Sequence, residues 1–277
     1  MKIHKLTLAG LLVANGASAA TAITEERFWT ETYAVTQTSP RLEVDNIWGS
    51  VQVRTGQPGR ISVAVAERRS APDRVRFDRS REILALDVEA DASGVSFVVG
   101  NRRDRWRRFD DCDDCRVDYQ FEIEVPPEAI VDVGTVMDGR IDVEGVTGTV
   151  SASNVNGPIS VAGIEDCETV HSVNGRITMG FSRPPSSECR IKTINGDITL
   201  EVPADTGLDM ALDLFNGEVS SELPIGPFEL PATIEQVVDD GRTRYRIRKL
   251  AGMRVGAGGP TWSIASMNGD VRIRKQQ

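Results

Sequence analysis

Apolar and polar residues alternate along a short motif that recurs through much of the chain. In V-N-G-P-I-S-V (155–161), Ile and Val follow Asn-Gly at every second position. This period of two predicts a β-strand with one buried face, because successive strand side chains point to opposite sides. The other copies are M-D-G-R-I-D-V (137–143), V-N-G-R-I-T-M (173–179), I-N-G-D-I-T-L (194–200), F-N-G-E-V-S-S (215–221), M-N-G-D-V-R-I (267–273) and, more weakly, I-W-G-S-V-Q-V (47–53).

The motif recurs at a nearly constant spacing. Gly139, Gly157, Gly175, Gly196 and Gly217 are separated by 18, 18, 21 and 21 residues. A period near 20 is typical of a solenoid, in which each repeat buries its apolar side against its neighbours. A single Asn-Gly also fits an antiparallel hairpin, but the regular spacing favours the coil. Asn-Gly readily adopts positive φ, so we expect tight structural turns at Asn156, Gly157, Asn174, Gly175, Asn195, Gly196, Asn216, Gly217, Asn268 and Gly269.

A second strand precedes each corner. In the five copies with an Asn-Gly corner, the residue five before the glycine is apolar and predicts an inward column, formed by Ala152, Val170, Ile191, Leu212 and Ile264. The residue three before it is small and polar, with Leu214 as the exception, and suggests an interior hydrogen-bonded ladder of Asn154, Ser172, Thr193 and Ser266. Two strands per turn predict parallel stacking at roughly 4.8 Å per turn.

These patterns predict an all-β fold, a single-chain parallel β-solenoid (β-helix) with turns of about 18–21 residues and irregular insertions. The expected divisions are a signal peptide at 1–22 and one domain at 23–277, with irregular strands at 41–135 that include a charged loop at 101–116, regular turns at 136–223, an insertion at 224–258 and a closing turn at 259–277.

The first residues have the composition of an export signal. A basic start, M-K-I-H-K, precedes the apolar run L-T-L-A-G-L-L-V-A and a stretch of small residues. This order is typical of a secretory signal peptide, with cleavage expected after Ala19 or Ala22. The apolar run is too short to remain as a membrane anchor, so we expect no transmembrane segment after cleavage. The sequence predicts an exported protein, either periplasmic or at the cell surface or secreted.

Charge limits the classes of partner. The formal net charge is −9, and removal of Lys2 and Lys5 with the signal peptide lowers it to −11. Nucleic acid requires an electropositive surface, so we expect no nucleic-acid partner.

Four cysteines, an even number in a chain expected to be exported, first indicate disulfides. Cys167 and Cys189 precede their corner glycines by eight and seven residues, which predicts a bridge between adjacent turns. Cys112 and Cys115 form C-D-D-C, most simply a local disulfide. The alternatives are a redox-active pair, which would normally lie at a helix N-terminus, or half of a metal site, for which the sequence offers no further ligands.

The most unusual segment is N-R-R-D-R-W-R-R-F-D-D-C-D-D-C (101–115). Its basic and acidic blocks could simply neutralise each other in a solvated loop. Arginine interleaved with an aromatic residue also suits docking to an anionic polymer or an acidic protein face. The candidate binding residues are Arg102, Arg103, Arg105, Trp106, Arg107 and Arg108.

The chain resembles the DUF4097 family of adhesin-like β-strand-repeat proteins, which is related to the head-GIN group. The resemblance rests on W-G-S-V-Q-V, F-E-I-E-V-P, the N-G-x-I/V turns and the closing G-A-G-G…S-I-A-S-M-N-G-D-V-R-I, and it covers residues 40–275. It implies a β-solenoid on an exported or envelope protein, and it supplies no catalytic residues. The arginine-rich loop and the insertion depart from the plain repeat.

Enzymatic chemistry has few candidate residues. After signal cleavage His171 is the single histidine, and its place between Ser153 and Lys192 indicates a surface residue rather than part of a triad or metal centre. Some β-helices act on polysaccharides through carboxylate pairs. The candidates here are Asp197 and Glu218, expected on adjacent turns and close enough to raise one pKa.

We therefore expect an exported, non-enzymatic β-solenoid, adhesin-like or structural, with no cofactor or metal. Its partner is not identified by the sequence and would be an envelope glycan or a periplasmic or surface protein. The alternatives are a polysaccharide-active enzyme and a periplasmic scaffold that docks through the arginine-rich loop.

Overall fold

The computed structural model describes residues 22–100, 112, 114–239, 242–248 and 250–276. Across these residues the chain forms β-strands and one α-helix, so the protein is all-β. The elements are β1 (Ile23–Ala34), β2 (Arg41–Asp45), β3 (Val51–Thr55), β4 (Arg60–Ala71), α1 (Arg74–Ile83), β5 (Leu86–Asp91), β6 (Gly94–Val99), β7 (Arg116–Val125), β8 (Ile130–Thr135), β9 (Ile141–Glu144), β10 (Thr149–Asn156), β11 (Ile159–Ile164), β12 (Asp166–Asn174), β13 (Ile177–Phe181), β14 (Arg190–Asn195), β15 (Ile198–Val202), β16 (Leu208–Asn216), β17 (Val219–Ser221), β18 (Ile225–Pro227), β19 (Thr233–Asp239), β20 (Arg242–Arg248), β21 (Ala251–Val255), β22 (Thr261–Asn268) and β23 (Val271–Lys275).

Two large mixed sheets enclose the core. Sheet A has ten strands in the order β1-β4-β7-β3-β9-β11-β13-β15-β23-β17. Sheet B has eleven, in the order β18-β21-β16-β22-β14-β12-β10-β8-β2-β6-β5. A separate antiparallel hairpin joins β19 and β20. Each motif copy from residue 137 onward therefore supplies its strand before the corner to sheet B and its strand after the corner to sheet A.

Equivalent motif positions are paired in parallel. Ile159 lies opposite Ile177, Ile177 opposite Ile198, and Ile198 opposite Val271. The predicted apolar positions on both sides of the corners are buried, except that Val219 in the outermost turn is half-buried, and the column five before the glycine is at most 6% exposed. The predicted alternation and columns are confirmed, because this register places every inward side chain above its counterpart.

The last motif along the sequence is not the last in the stack. β22 lies between β14 and β16, and β23 lies between β15 and β17. The outer edge of β16 is instead paired antiparallel with β21. The expected sequential stacking of the regular turns is therefore wrong at its end: the segment between β17 and β22 returns the chain so that the final motif fills an interior position.

The motif glycines are required by close stacking. A Cβ on Gly157 would collide with the carbonyl oxygen of Gly139, and one on Gly175 would collide with that of Gly157. The same collision would occur at Gly139, Gly196, Gly217 and Gly269 with the glycine of the preceding turn in the stack. We expected glycine at the corners because of positive φ, but not every corner glycine has a positive φ. Only glycine lets the backbones approach this closely.

The asparagines beside these glycines form a ladder along the stack. Asn174 Nδ2 donates to Asn156 Oδ1 at 2.9 Å, and Asn195 Nδ2 donates to Asn174 Oδ1 at 2.8 Å. Asn268 and Asn216 continue the ladder at 2.8 and 3.0 Å. The hydrogen-bonded ladder is thus an exposed asparagine column at the corner, formed because parallel register places identical amides above each other.

The interior polar column does not form the ladder suggested by the sequence. Asn154 Nδ2 donates to the Gly139 carbonyl at 2.9 Å, and Thr193 Oγ1 donates to the Gly175 carbonyl at 3.4 Å. The hydroxyls of Ser172 and Ser266 have no hydrogen-bond partner in the described structure. Short side chains in successive turns cannot reach one another. Asn154 and Thr193 therefore donate to the carbonyl of a neighbouring motif glycine instead.

A buried arginine fixes α1 against the first strands. Arg69 is 4% exposed. Its guanidinium donates to Glu67 at 2.8 Å, to the carbonyls of Ser80 and Leu84 at 2.5 and 3.2 Å, and to the Tyr119 hydroxyl at 3.1 Å. It therefore binds carbonyl groups at the helix C-terminus, where the Ser80 carbonyl also accepts from the Leu84 amide at 2.9 Å. The burial of Tyr119 raises the pKa of its hydroxyl.

We predict that Gly175→Ala lowers the free energy of unfolding by roughly 3 kcal/mol, because the added methyl group meets backbone rather than a flexible side chain. Gly226→Ala is the matched control, since a Cβ there has nothing within 4 Å, and it should change stability by less than about 0.5 kcal/mol. Urea denaturation followed by circular dichroism measures both. Equal effects at the two glycines would contradict the stacking explanation.

Candidate binding groove

The arginine-rich segment lies outside the described residues. Arg102, Arg103, Arg105, Trp106, Arg107 and Arg108 therefore remain a sequence prediction. Its flanks are described: the Gly100 amide donates to the Ala85 carbonyl at 2.8 Å, and Cys112 is bonded to Cys115.

Both expected disulfides are present. Cys167 of β12 is joined to Cys189, which directly precedes β14, so this bridge links adjacent turns. Cys112 and Cys115 form the local disulfide, and their sulfurs lie 3.3 and 3.5 Å from the Arg76 carbonyl oxygen of α1. A redox-active pair needs a stabilised thiolate, whereas a carbonyl oxygen opposes negative charge. This environment favours a structural bridge. The sequence patterns do not predict α1 itself.

The proposed carboxylate pair does not form. Asp270 lies between Asp197 and Glu218 in the stack, because β23 separates β15 from β17. Asp197 Oδ1 accepts from the Asp270 amide at 3.0 Å, and its Oδ2 accepts from Arg272 at 2.6 Å. The hydrogen bond from Arg272 holds the pKa of Asp197 below its usual value. The expectation of adjacent carboxylates with one raised pKa is wrong.

His171 lies where the sequence placed it, paired between Ser153 and Lys192. Partial burial, followed by the charge of Lys192, lowers the pKa of its imidazole. Among the residues that the structure describes, no group of three His, Cys, Asp or Glu side chains could hold a metal ion. His171 therefore belongs to no such group in this part of the chain.

Sheet A has an open groove on its outer face above β4. Antiparallel pairing aligns outward side chains of β1, β4 and β7 in rows. Small residues of β4 form the floor, and the larger side chains of β1 and β7 form the walls. The three rows are Phe28–Ala66–Gln120, Thr30–Ala64–Glu122 and Thr32–Ser62–Glu124.

The groove is apolar at one end and polar at the other. Around Phe28 it has a volume of about 500 Å³, and a second part of about 210 Å³ extends beside Glu124. Phe28 occupies a solvent-facing strand position and is 58% exposed, although its side chain is apolar. Gln52 of β3 lines both parts. An exposed ring beside amide and carboxylate groups can hold a ligand that has both apolar and hydroxyl-bearing surfaces.

Several polar groups of the groove are available to a ligand. Arg54 donates to Gln52 at 3.3 Å rather than to a carboxylate. Within the described ranges, Gln120, Glu122 and Glu124 make no side-chain hydrogen bond or ion pair. Side-chain acceptors therefore line one wall of the groove without a partner from the protein.

Sequence reasoning missed this groove because it depends on long-range strand pairing. β1 and β4 are separated by 25 residues between their facing ends, Ala34 and Arg60, and neither contains the repeat motif. The one local signal was an apolar residue, Phe28, at an outward position of an alternating segment.

Comparisons with known proteins identify no family for this chain. The sequence matches no protein-family profile and no curated protein. One similar solved structure is a "putative cell adhesion protein" from Clostridium sporogenes. It shares 9% identity with a TM-score of 0.38, covering 89% of this chain and 99% of the other. No helix in the described part of the chain is long and apolar enough to cross a membrane.

We predict that Asp197→Asn destabilises the protein at pH 7 by up to about 1 kcal/mol, as expected for a surface ion pair. Because the folded-state pKa is lowered, ionised Asp197 stabilises the fold above its unfolded pKa, and this stabilisation disappears as pH falls through the folded pKa. In urea denaturation the difference from wild type should therefore shrink as pH falls below the usual Asp pKa, and it should vanish below the folded-state pKa. A difference that is independent of pH would show that the ion pair is not its source.

Proposed function

We propose that the protein is an exported, non-enzymatic, adhesin-like β-solenoid that binds carbohydrate in the groove of sheet A. The solenoid assignment is supported by parallel register between matching motif positions in both sheets. The same repeats support membership of the DUF4097 family. The observation that carries the function is the exposed Phe28 ring beside unpartnered amide and carboxylate groups.

Export is supported by two independent features. Residues 1–22 have the order of charges and apolar residues expected of a signal peptide. The four cysteines form two disulfides, which persist mainly in oxidising compartments such as the periplasm or the cell exterior.

Carbohydrate fits the groove better than the other ligand classes considered. A sugar ring has an apolar face that can lie against Phe28 and hydroxyls that can donate to Gln120 and Glu122. An anionic polymer would meet the carboxylates of Glu122 and Glu124. A carbohydrate ligand also agrees with an envelope glycan, one of the two partner classes that the sequence left open.

The enzymatic alternative now concerns different residues. Asp197 and Glu218 are not adjacent, but Glu122 and Glu124 lie two residues apart on one face of β7. This separation is about 7 Å along a strand, within the range of carboxylate spacings used for glycoside hydrolysis with inversion. The binding experiment should therefore include product analysis. Docking through the arginine-rich loop is the remaining alternative.

We predict that Phe28→Ala weakens oligosaccharide binding about three- to tenfold, since aromatic contacts contribute about 0.5–1.5 kcal/mol. The ligands would be soluble neutral hexose and N-acetylhexosamine oligosaccharides, measured by calorimetry with purified residues 23–277. Gln120→Ala should also weaken binding.

Phe215→Ala is the matched control, because Phe215 is 81% exposed and belongs to a different sheet. Binding lost equally in this variant, or unchanged in Phe28→Ala, would exclude the groove. Chromatographic detection of shorter sugars, abolished by Glu122→Gln, would instead establish an enzyme.

A further inference from the structure

The Asn-Gly corners place a chemically reactive pair at the same point of five turns. In such a pair the glycine nitrogen can attack the side-chain amide of the asparagine, because glycine has no Cβ to hinder the approach. All five asparagines are exposed, and they are Asn156, Asn174, Asn195, Asn216 and Asn268. The sixth copy has Asp138 at this position, and a carboxylate has no amide group to lose. Exposure of the asparagine therefore does not distinguish one corner from another.

Four of the five glycine amides are held by the turn that follows them in the stack. Each of these amides donates to an asparagine carbonyl at 2.9–3.0 Å, in the pairs Gly157–Asn174, Gly175–Asn195, Gly196–Asn268 and Gly269–Asn216. An amide that keeps this hydrogen bond cannot release its proton and turn towards its own asparagine side chain. These four corners therefore react only when the next turn opens locally.

Gly217 is the exception, because its corner is the last in the stack. β17 forms an edge of sheet A, and β21 pairs with β16 only from Leu208 to Leu212, so no described strand lies beyond the Asn216–Gly217 corner. Among the described residues, the Gly217 amide has no hydrogen-bond acceptor. Gly217 is also the one exposed glycine of the five Asn-Gly pairs. Its nitrogen is therefore accessible without any opening of the fold.

We propose that Asn216 is a selective deamidation site of the folded protein. The Gly217 nitrogen gives its proton to hydroxide and forms a bond to Cγ of Asn216. The Cγ–Nδ2 bond then breaks, and Nδ2 leaves as ammonia after taking a proton from water. Water opens the resulting succinimide ring at either of its carbonyls, which gives aspartate or isoaspartate. The reaction consumes one water and releases one ammonia, and no atom changes its oxidation state.

Deamidation changes the contacts at this end of the stack. The leaving Nδ2 is the atom that donates to Asn268 Oδ1 at 3.0 Å, so the outermost hydrogen bond of the asparagine ladder is lost. In isoaspartate the main chain runs through the former side chain, and the Asn216 carbonyl that accepts from the Gly269 amide leaves the backbone. Both products therefore weaken the contacts of the outermost turn, while the corners further inside keep their hydrogen bonds.

Peptide mapping by mass spectrometry tests the proposal on residues 23–277, incubated folded in a mildly alkaline buffer. Heavy-oxygen water in the incubation, but not in the digestion, marks the deamidation that occurs in the folded protein. Asn216 should deamidate at least about tenfold faster than each of the other four asparagines, because those react only from locally opened turns. The same chain, reduced and unfolded in concentrated urea, is the control, and there the advantage of Asn216 should disappear.

Asn216→Gln is the matched variant, since the longer side chain would have to close a larger, more slowly formed ring. It should remove the product at this position and leave the other four rates unchanged, and circular dichroism confirms that it is folded. Equal rates at the five sites of the folded protein, or a faster reaction at an interior corner, overturn the proposal. So does an advantage of Asn216 that persists in urea, because local sequence would then be its cause. β17 and β1 are opposite edges of sheet A, so the result is independent of sugar binding in the groove.

Discussion

The fold depends on glycines that lie directly on one another. At each corner the carbonyl oxygen of one motif glycine occupies the space where a Cβ of the next would be. The Gly157 amide donates to the Asn174 carbonyl at 3.0 Å, and the Gly175 amide donates to the Asn195 carbonyl at 3.0 Å. These contacts allow only one register between turns. Since a shift of one residue would invert every side chain in a strand, the corner determines which residues reach the core in both sheets.

A fixed register also determines what the ends of the stack need. A parallel stack exposes unpaired backbone groups at its first and last turns. In sheet A, β7 pairs in parallel with β3, and the antiparallel strands β4 and β1 then cover β7. In sheet B, the antiparallel strand β21 covers β16. Of these covering strands, β4 is bound to α1 through Arg69. The nonrepetitive strands therefore cover the ends of the parallel stack, and β1, β4 and β7 also form the groove.

The sequence predicted the strands and corners of the repeated motif. It did not predict the order in which the last turns are stacked. Val219 and Val271 occupy equivalent motif positions, so periodicity cannot tell which of them lies nearer to Ile198. That order depends on the path of residues 222–260, which has no repeat. The helix was missed because R-V-R-F-D-R-S-R-E-I has only three apolar residues, and its packing depends on a buried arginine. The groove was missed since it arises from antiparallel partners distant in the sequence.

The two outer faces differ in a way that agrees with separate roles. Sheet A presents varied rows of small, aromatic and acidic side chains, whereas sheet B presents the same apolar position in turn after turn. A varied surface can distinguish one ligand, whereas a repeated one offers the same contact at every turn. The groove therefore lies where the strands are nonrepetitive and antiparallel, because only there do rows of unlike side chains meet on one face.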